Sequence, residues 1–574
     1  MKAVKLFTIT SLALMIIAMS CSKLPQNHQH TGSADILTNQ IGYPVDAAKK
    51  ALIRGEAETF ELKNEKGETV FTGTTGENKY WELSGDSVRV ADFSDFSTKG
   101  EYRLCVHGGK TCSDLFQIGE SLYKDLADAA LKSYYYSRCG VEIEEEYGGK
   151  WHWKAGHPDT SVMIHESAAD ENRPAGTVLS SPGGWYDAGD YGKYIVNSSI
   201  TTWTILQSLV LNHSFHQQQN LNIPESGNEL PDILDEALVN LKWMMTMQDP
   251  NDGGVYHKLT TKQFDGFIMP DQTNKQRYVV QKSTPAALDY AATMATAARI
   301  LRGYQLDQLA EEMTESAIMA WEWAVKNPGK LYAQPKDIAT GAYSDKSDTD
   351  EWFWAASELF LLTGDQKYKN AMTKYYQKPI TPKWDVVHTL GIISLLTSDQ
   401  PEEFKEMESD FIAYADMMLK KEAASPYLIS MDKFAWGSNS DVANDGMLKL
   451  VAYRLTKDKK YIASAQNDLD YILGRNATGY SFVTGFGHQT PMHPHNRIMA
   501  SDGVEEPMPG YIAGGPNTNV MTDCQSENVV RSTFPAASYI DSQCSYSTNE
   551  TAINWNAPLV FLTSGLEQEL AGKR

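Results

Sequence analysis

The chain has 574 residues, with 73 Asp and Glu against 51 Lys and Arg and a formal net charge of −22. A field of that sign repels nucleic acid and anionic lipid, so no nucleic-acid partner is expected and a neutral or cationic ligand fits better. Its 42% apolar and 22% charged residues are an ordinary soluble balance, spread over a length that requires two or more domains.

MKAVKLFTITSLALMIIAMSC opens the sequence. Lys2 and Lys5 precede an apolar run from Leu6 to Met19 that is too short and wrongly flanked for a stable transmembrane helix. Residues 1–20 therefore read as a secretory signal. Ala18-Met19-Ser20-Cys21 resembles a bacterial lipobox, with Ala where Leu is usual. That resemblance implies cleavage before Cys21, a lipid on its sulfur, and an exported protein anchored to a membrane and facing the periplasm or the cell surface. An ordinary signal peptide followed by an incidental Cys is the competing reading. Residues 21–34 are polar and aperiodic, a tether. Export makes disulfides possible. Cys105 and Cys112 flank a hairpin-like turn and can pair, as can Cys524 and Cys544, which leaves Cys139 as a free buried thiol.

Residues 35–118 alternate short β-rich runs (KALI, TFELK, SVRVADF, GEYRLCV) with Gly, Asn and Asp turns, the spacing of a small all-β sandwich. Nothing in it has a catalytic pattern. From residue 119 to 574 the texture is helical. Leu230, Ile233, Leu234, Ala237, Leu238 and Leu241 share one helix face, and the stretch from Thr284 to Leu301 is Ala-rich. LLTGDQ at Leu361, LLTSDQ at Leu395 and RLTKDK at Arg454 each close an apolar helical run with a polar turn, and KY opens the next helix in two of them. Serial αα-hairpins over such a length predict a large all-α toroid or solenoid, with a site where its loops converge.

Four Gly-rich, polar and aromatic stretches are the candidates for chemistry. GGWYDAGDYGKY, from Gly183, sets Asp187 and Asp190 three residues apart beside Trp185. The others are WGSNSDVAND from Trp436, SFVTGFGHQTPMHPHNR from Ser481, and SYIDSQCSYSTNETAINWNAP from Ser538. Hydrolysis of a sugar acetal needs a proton donor on one side of the bond and a base or nucleophile on the other. Glu550, in an almost uncharged setting near Trp555, has the surroundings that keep a carboxyl protonated. It also reads as a helix-start carboxylate. Asp187 and Asp190 read equally as a base pair or as ligands of a hard cation. His495 and Arg497 are placed to bind sugar hydroxyls or to orient a carboxylate. His488 and His493 lack the spacing of common zinc motifs, and neither CxxC nor HExxH occurs.

Taken together, these stretches are similar to glycoside hydrolase family 9, with the immunoglobulin-like module often fused before it. LTNQIGYPVDAAKKALI, ADFSDFSTKGEYRL, ALKSYYYSRCG, IPESGNELPDILDEA, KSTPAALDYAA, WGSNS and LGRNATGYSFVTGFG carry the resemblance in order. SFVTGFGHQTPMHPHNR ends in the family's P-H-x-R, and YIDSQCSYSTNETAINWNA matches its acidic signature at Asp541, Tyr546, Glu550 and Asn556. The resemblance implies an (α/α)6 barrel and endo-hydrolysis of β-1,4-glucosidic bonds with inversion. It implies Glu550 as general acid, Asp190 as base, Asp187 as a holder of the attacking water, and Asp541 as support for the acidic segment. It also implies His495, Arg497, Trp185 and Tyr546 as substrate contacts. A β-glucan polysaccharide is the expected partner. No organic cofactor is expected. Zinc is not expected either, because Cys139 is followed by His157 and His165 with no second Cys. Asp350-Glu351 in SDKSDTDEWFWAA stands where members often bind structural calcium, although acids at a helix start also complement its dipole. Competing readings are the same machinery on xyloglucan, an exo-acting β-glucosidase or glucosaminidase, and a surface lipoprotein that only binds glycans.

Overall fold

The computed structural model describes residues 35–527 and 529–571. The signal, Cys21 and the tether lie outside the described residues. The strands begin at Ile36 and the first run of them ends at Gly119. One sheet has the order Ile36–Leu37, Lys50–Arg54, Asp86–Asp92, Lys79–Trp81; the facing one has Gly42–Pro44, Phe116–Gly119, Gly100–Val106, Thr59–Asn64, Thr69–Thr74. Alternation places Phe60 and Leu62, then Tyr102 and Leu104, inward. They close on Tyr43, Phe93 and Phe116, whose rings meet edge-on or tilted at 5.1–5.7 Å.

Twelve helices of nine or more residues follow among the described residues. Six form an inner ring: Ile195–Leu211, Thr284–Gly303, Thr349–Thr363, His388–Leu396, Ser438–Thr456 and Ile553–Leu570. Each has an outer partner, in the same order Asp232–Thr246, Asp307–Lys326, Gln366–Tyr375, Lys405–Ala424, Lys459–Ile472 and Lys124–Tyr136. This is the expected (α/α)6 barrel. The inner helices are buried nearly all round, so apolar residues cannot be confined to one stripe. Small side chains do the close packing, above all Ala286, Ala287, Ala291, Ala295 and Ala298. Two of the three repeat turns share one stereochemistry. Gly364 and Lys457 end helices in the left-handed region, and Asp365 and Asp458 then cap the next helix by accepting from the N–H groups of Lys367 and Lys460. The third departs, because Pro401 starts a 3-10 turn before Lys405–Ala424.

The sandwich packs directly on the barrel. Leu37, Leu52 and Val88 belong to the barrel's own core. Asn39 donates to Asp470 at 2.9 Å, Trp81 packs on Tyr427, and Tyr427 donates to Asp86 at 2.9 Å. Cys105–Cys112 and Cys524–Cys544 are disulfides, and Cys139 is free and buried, as the spacing predicts.

Candidate active site

A cleft of about 670 Å³ opens at one end of the barrel. Its walls come from the loops that precede all six inner helices: Asp190 and Tyr194, Phe264, Tyr343, Lys383 and Trp384, Trp436, and then His495, Arg497, Tyr546 and Glu550. The topology thus brings acids 360 residues apart to one surface (550 − 190).

Asp190 lines the floor. Its Oδ2 accepts from the Gly192 N–H at 3.0 Å and from the Tyr194 hydroxyl at 3.1 Å, while Oδ1 has no hydrogen-bond partner among the described residues. Asp187 lies one layer beneath, 1% exposed, with Oδ1 held by Asn197 and Oδ2 by Tyr343, both at 2.8 Å. Burial, then the charge of Asp190, pushes its pKa up to about 7. Gly189 between them is obligatory by space. A Cβ there would stand 2.1 Å from the His495 carbonyl oxygen and 3.1 Å from Glu550 Oε1.

Glu550 stands beside His495 in a short parallel bridge, and its carbonyl accepts from Gly514 at 2.9 Å. It reaches the cleft surface but is densely surrounded by protein. Burial first, then the charges of Asp190 and Asp187, raises its carboxyl well above the ordinary range, against the opposing pull of Arg497 and the Gly189 N–H. His495 donates from Nδ1 to the Gln543 carbonyl at 2.7 Å, since a carbonyl can only accept. Burial lowers its pKa, so the neutral ring offers Nε2 as an acceptor. Arg497 spends Nε on the Asp265 carbonyl and Nη1 on that of Gly189, with its guanidinium over Phe264 and Phe267 at 5.2 and 5.6 Å. Tyr546 stands between His495 and Trp436.

One expectation changes. Trp185 does not touch the cleft: it is 0% exposed, its indole N–H donates to Glu236 at 2.8 Å, and Tyr134 packs on it. No sugar face can reach a ring whose faces are in the core. Asp541 lies outside the cleft lining. It accepts from the backbone of Met492 and His493, both at 2.8 Å, and from Asn549 at 3.0 Å, which ties the His495 loop to the Glu550 loop. Sequence reasoning passed over Tyr194, although it ends the quoted GGWYDAGDYGKY, and Tyr343, whose positive φ of 46° no local motif signals.

A second group of acids lies outside the cleft lining. Asp289, Asp345, Asp350 and Glu351 are buried together. Asp350 accepts from the Val387 N–H at 2.8 Å, whereas both carboxylate oxygens of Asp289 and Asp345 and Oε2 of Glu351 are buried without a hydrogen bond. Burial, then mutual repulsion, raises Asp289 and Glu351 far up and Asp345 to about 8. Among the described residues no three such side chains are already drawn into a ligand shell. The orphaned hard oxygens nevertheless fit a dication such as calcium in donor type and charge. Beside Cys139 the situation is reversed. Asp159 there is neutralised by Lys193 at 2.8 Å and Arg277 at 3.0 Å, and His165 lies elsewhere, against Asp337.

Comparison with known proteins identifies this arrangement. Residues 123–563 match Glycosyl hydrolase family 9, and residues 31–111 match the Cellulase N-terminal ig-like domain. The chain is 42% identical over 555 residues to a xyloglucan-specific endo-beta-1,4-glucanase of Bacteroides ovatus, covering 93% of each. It is 33% identical to Endoglucanase D of Acetivibrio thermocellus, over 95% of this chain and 85% of that one. The solved structure of a Bacteroides ovatus GH9 protein superposes with a TM-score of 0.86 at 41% identity, covering 93% of this chain and 99% of that one. The chain therefore belongs to glycosyl hydrolase family 9 and is a glycoside hydrolase of the endoglucanase kind, carrying the cellulase-type immunoglobulin-like domain ahead of its barrel.

Proposed function

We propose that this enzyme cuts β-1,4-glucosidic bonds within glucan chains with inversion, using Glu550 as the acid and Asp190 as the base. The observation that carries the roles is the contrast between the two carboxyls in one cleft. Glu550 is held protonated by burial and by its acidic neighbours. Asp190 has donors on Oδ2 and leaves Oδ1 to accept a proton from water. In the step, Glu550 gives its proton to the leaving O4 as the C1–O4 bond breaks. Water adds to C1 from the opposite face and loses a proton to Asp190, and solvent restores both groups. Asp187 fixes the floor through Asn197 and Tyr343, and His495 accepts from a sugar hydroxyl. Trp436, 45% exposed, and Trp384 offer flat faces for pyranose rings.

Xyloglucan is the polymer to test first, because the Bacteroides ovatus relative named above bears that specificity. Reducing-sugar release from xyloglucan, mixed-linkage β-glucan, carboxymethyl-cellulose and chitosan is measured for the wild type and Glu550→Gln. The expected result is a loss of roughly 10²–10⁴-fold on the preferred glucan. Activity that survives the substitution removes Glu550 from the role of acid. Wild type inactive on every polymer returns the chain to glycan binding without hydrolysis.

Calcium held by Asp289, Asp345, Asp350 and Glu351 is part of the same proposal. When bound it would supply charge neutralisation at the helix start Thr349–Thr363, not chemistry at the cleft. Export is supported by the two disulfides, which persist in oxidising compartments. Lipidation at Cys21 rests on the sequence.

A further inference from the structure

Behind the cleft floor, Lys258 is a buried ammonium with no carboxylate within salt-bridge distance among the described residues. It is 0% exposed. Its Nζ donates only to neutral oxygens: the Gln334 amide at 3.1 Å, the Thr340 hydroxyl at 3.2 Å and the carbonyls of Thr340 and Gly341. It sits 5.5 Å from the ring centroids of both Tyr194 and Tyr332. A whole charge kept in such a place is costly unless something holds it there.

Two features say what it serves. Lys258 is the direct cross-strand partner of Tyr194, the residue whose hydroxyl donates to Asp190. The segment it grips, Thr340 and Gly341, leads straight into Tyr343, whose hydroxyl donates to Asp187. His257, just before the strand, holds the same segment through the Ala342 carbonyl at 3.1 Å. The rings of Tyr194 and Tyr343 meet edge-on at 4.8 Å, so the two hydroxyls that hold the two acids are one packed unit anchored on Lys258.

We propose that Lys258 is a positioning residue for hydrolysis: it locks the Tyr194–Tyr343 pair under Asp190 and Asp187 and supplies buried positive charge that balances the acid cluster. The proposal rests on Asp190 being the base. Burial brings the Lys258 pKa down to about 7, and Asp190 is the charge that opposes this. The ionisable groups acting on Asp190 are Asp187, Glu550, Tyr194, Lys258, Arg277 and His495. Those around Lys258 are Tyr194, Tyr332, His257 and Asp190. Arg277 is already paired to Asp159, and Arg497 acts on the Glu550 side of the cleft, so Lys258 is the cation on the Asp190 side of the cluster.

The test is the pH profile of kcat/KM for Lys258→Met and Lys258→Gln on the preferred glucan, with thermal melts to establish folding. Without the positive charge the three acids take up protons more readily, so the acid limb moves to higher pH. The expected result is that shift, together with a kcat loss of roughly 10²-fold and little change in KM. A folded uncharged variant whose acid limb stays at the wild-type position overturns the proposal. Should neither variant fold, Lys258→Arg decides: it keeps the charge and must hold the limb in place, and a displaced limb overturns the proposal. Asp190→Ala runs alongside. If it retains activity, the assignment of the base fails; if it is inactive while the Lys258 variants keep their limb, only the inference about Lys258 fails.

Discussion

This barrel contains two buried groups of acids, and they are built differently. At the cleft, Asp187 and Asp190 have donors from Asn197, Tyr343, Tyr194 and Gly192. Below the start of Thr349–Thr363, Asp289 and Asp345 have none. Burial and like charge raise the pKa of Asp187 and Glu550 in the first set and of Asp289, Asp345 and Glu351 in the second. Hydrogen-bond donors and an opening onto a cleft suit a set that must exchange protons with substrate and water. Orphaned oxygens sealed in the core suit a set that is completed by a cation. Carboxylate density alone therefore does not separate a reacting cluster from a cation site, whereas donors and access do.

The largest expected effect lies at the cleft. Glu550→Gln keeps the shape and removes the proton, for the loss of roughly 10²–10⁴-fold already given. The wild-type pH profile sharpens the same assignment. Because burial and the charges of Asp190 and Asp187 raise the Glu550 carboxyl, it stays protonated as pH rises past the ordinary Glu range. The alkaline limb of kcat should then lie well above pH 4.5, the model-compound range for such an acid, and an enzyme already failing there would contradict the assignment. Gly189→Ala comes next. Its Cβ would press the His495 carbonyl and the Glu550 carboxyl, so kcat should fall by roughly 10²-fold and the melting temperature should fall with it. An active Gly189→Ala enzyme would mean that the floor yields more than its contacts indicate.

At the core cluster the expected effect falls on stability rather than rate. Chelation, or Asp289→Asn, should lower Tm by roughly 5 °C, with kcat at low temperature within about twofold of the untreated enzyme. Calcium should restore the melt of the chelated wild type. Abolition of kcat at temperatures where the fold persists would instead place the metal in the chemistry.

Much of this was legible in the sequence, and for definite reasons. The Asp365 and Asp458 turns carry their caps within a few residues, so αα-hairpins could be read locally. Asp190, Glu550 and His495 lie in Gly-rich loops with distinctive neighbours, and the structure brings all three to one cleft. Trp185, a substrate contact by resemblance, is a core residue instead, because its orientation depends on Glu236, 51 residues away. The calcium-type cluster was half visible. Asp350-Glu351 starts a helix, but Asp289 comes from the second turn of another inner helix and is unremarkable in its Ala-rich surroundings. Lys258 was invisible for the same reason, since its meaning lies in a strand register and in carbonyls some 80 residues on.

The smallest predicted effect concerns the link between sandwich and cleft. Gln40 Oε1 accepts from the N–H groups of His488 and Gln489 at 2.7 and 2.9 Å, and its Nε2 donates to the Gly479 carbonyl at 2.6 Å. One side chain of the β domain thus pins both ends of the stretch that runs on to His495 and Arg497. Gln40→Ala removes three hydrogen bonds, worth about 1 kcal/mol each. Leu37, Leu52 and Val88 keep the domains packed regardless, so the loop should loosen without detaching. The expected outcome is a few-fold fall in kcat/KM and a Tm lowered by a few degrees, both read on the same preparation. A change in Tm alone would make the sandwich a brace for the barrel as a whole. A change in kcat/KM as well makes it a support for the cleft, because Asp541 then holds the far end of that loop while the near end is free.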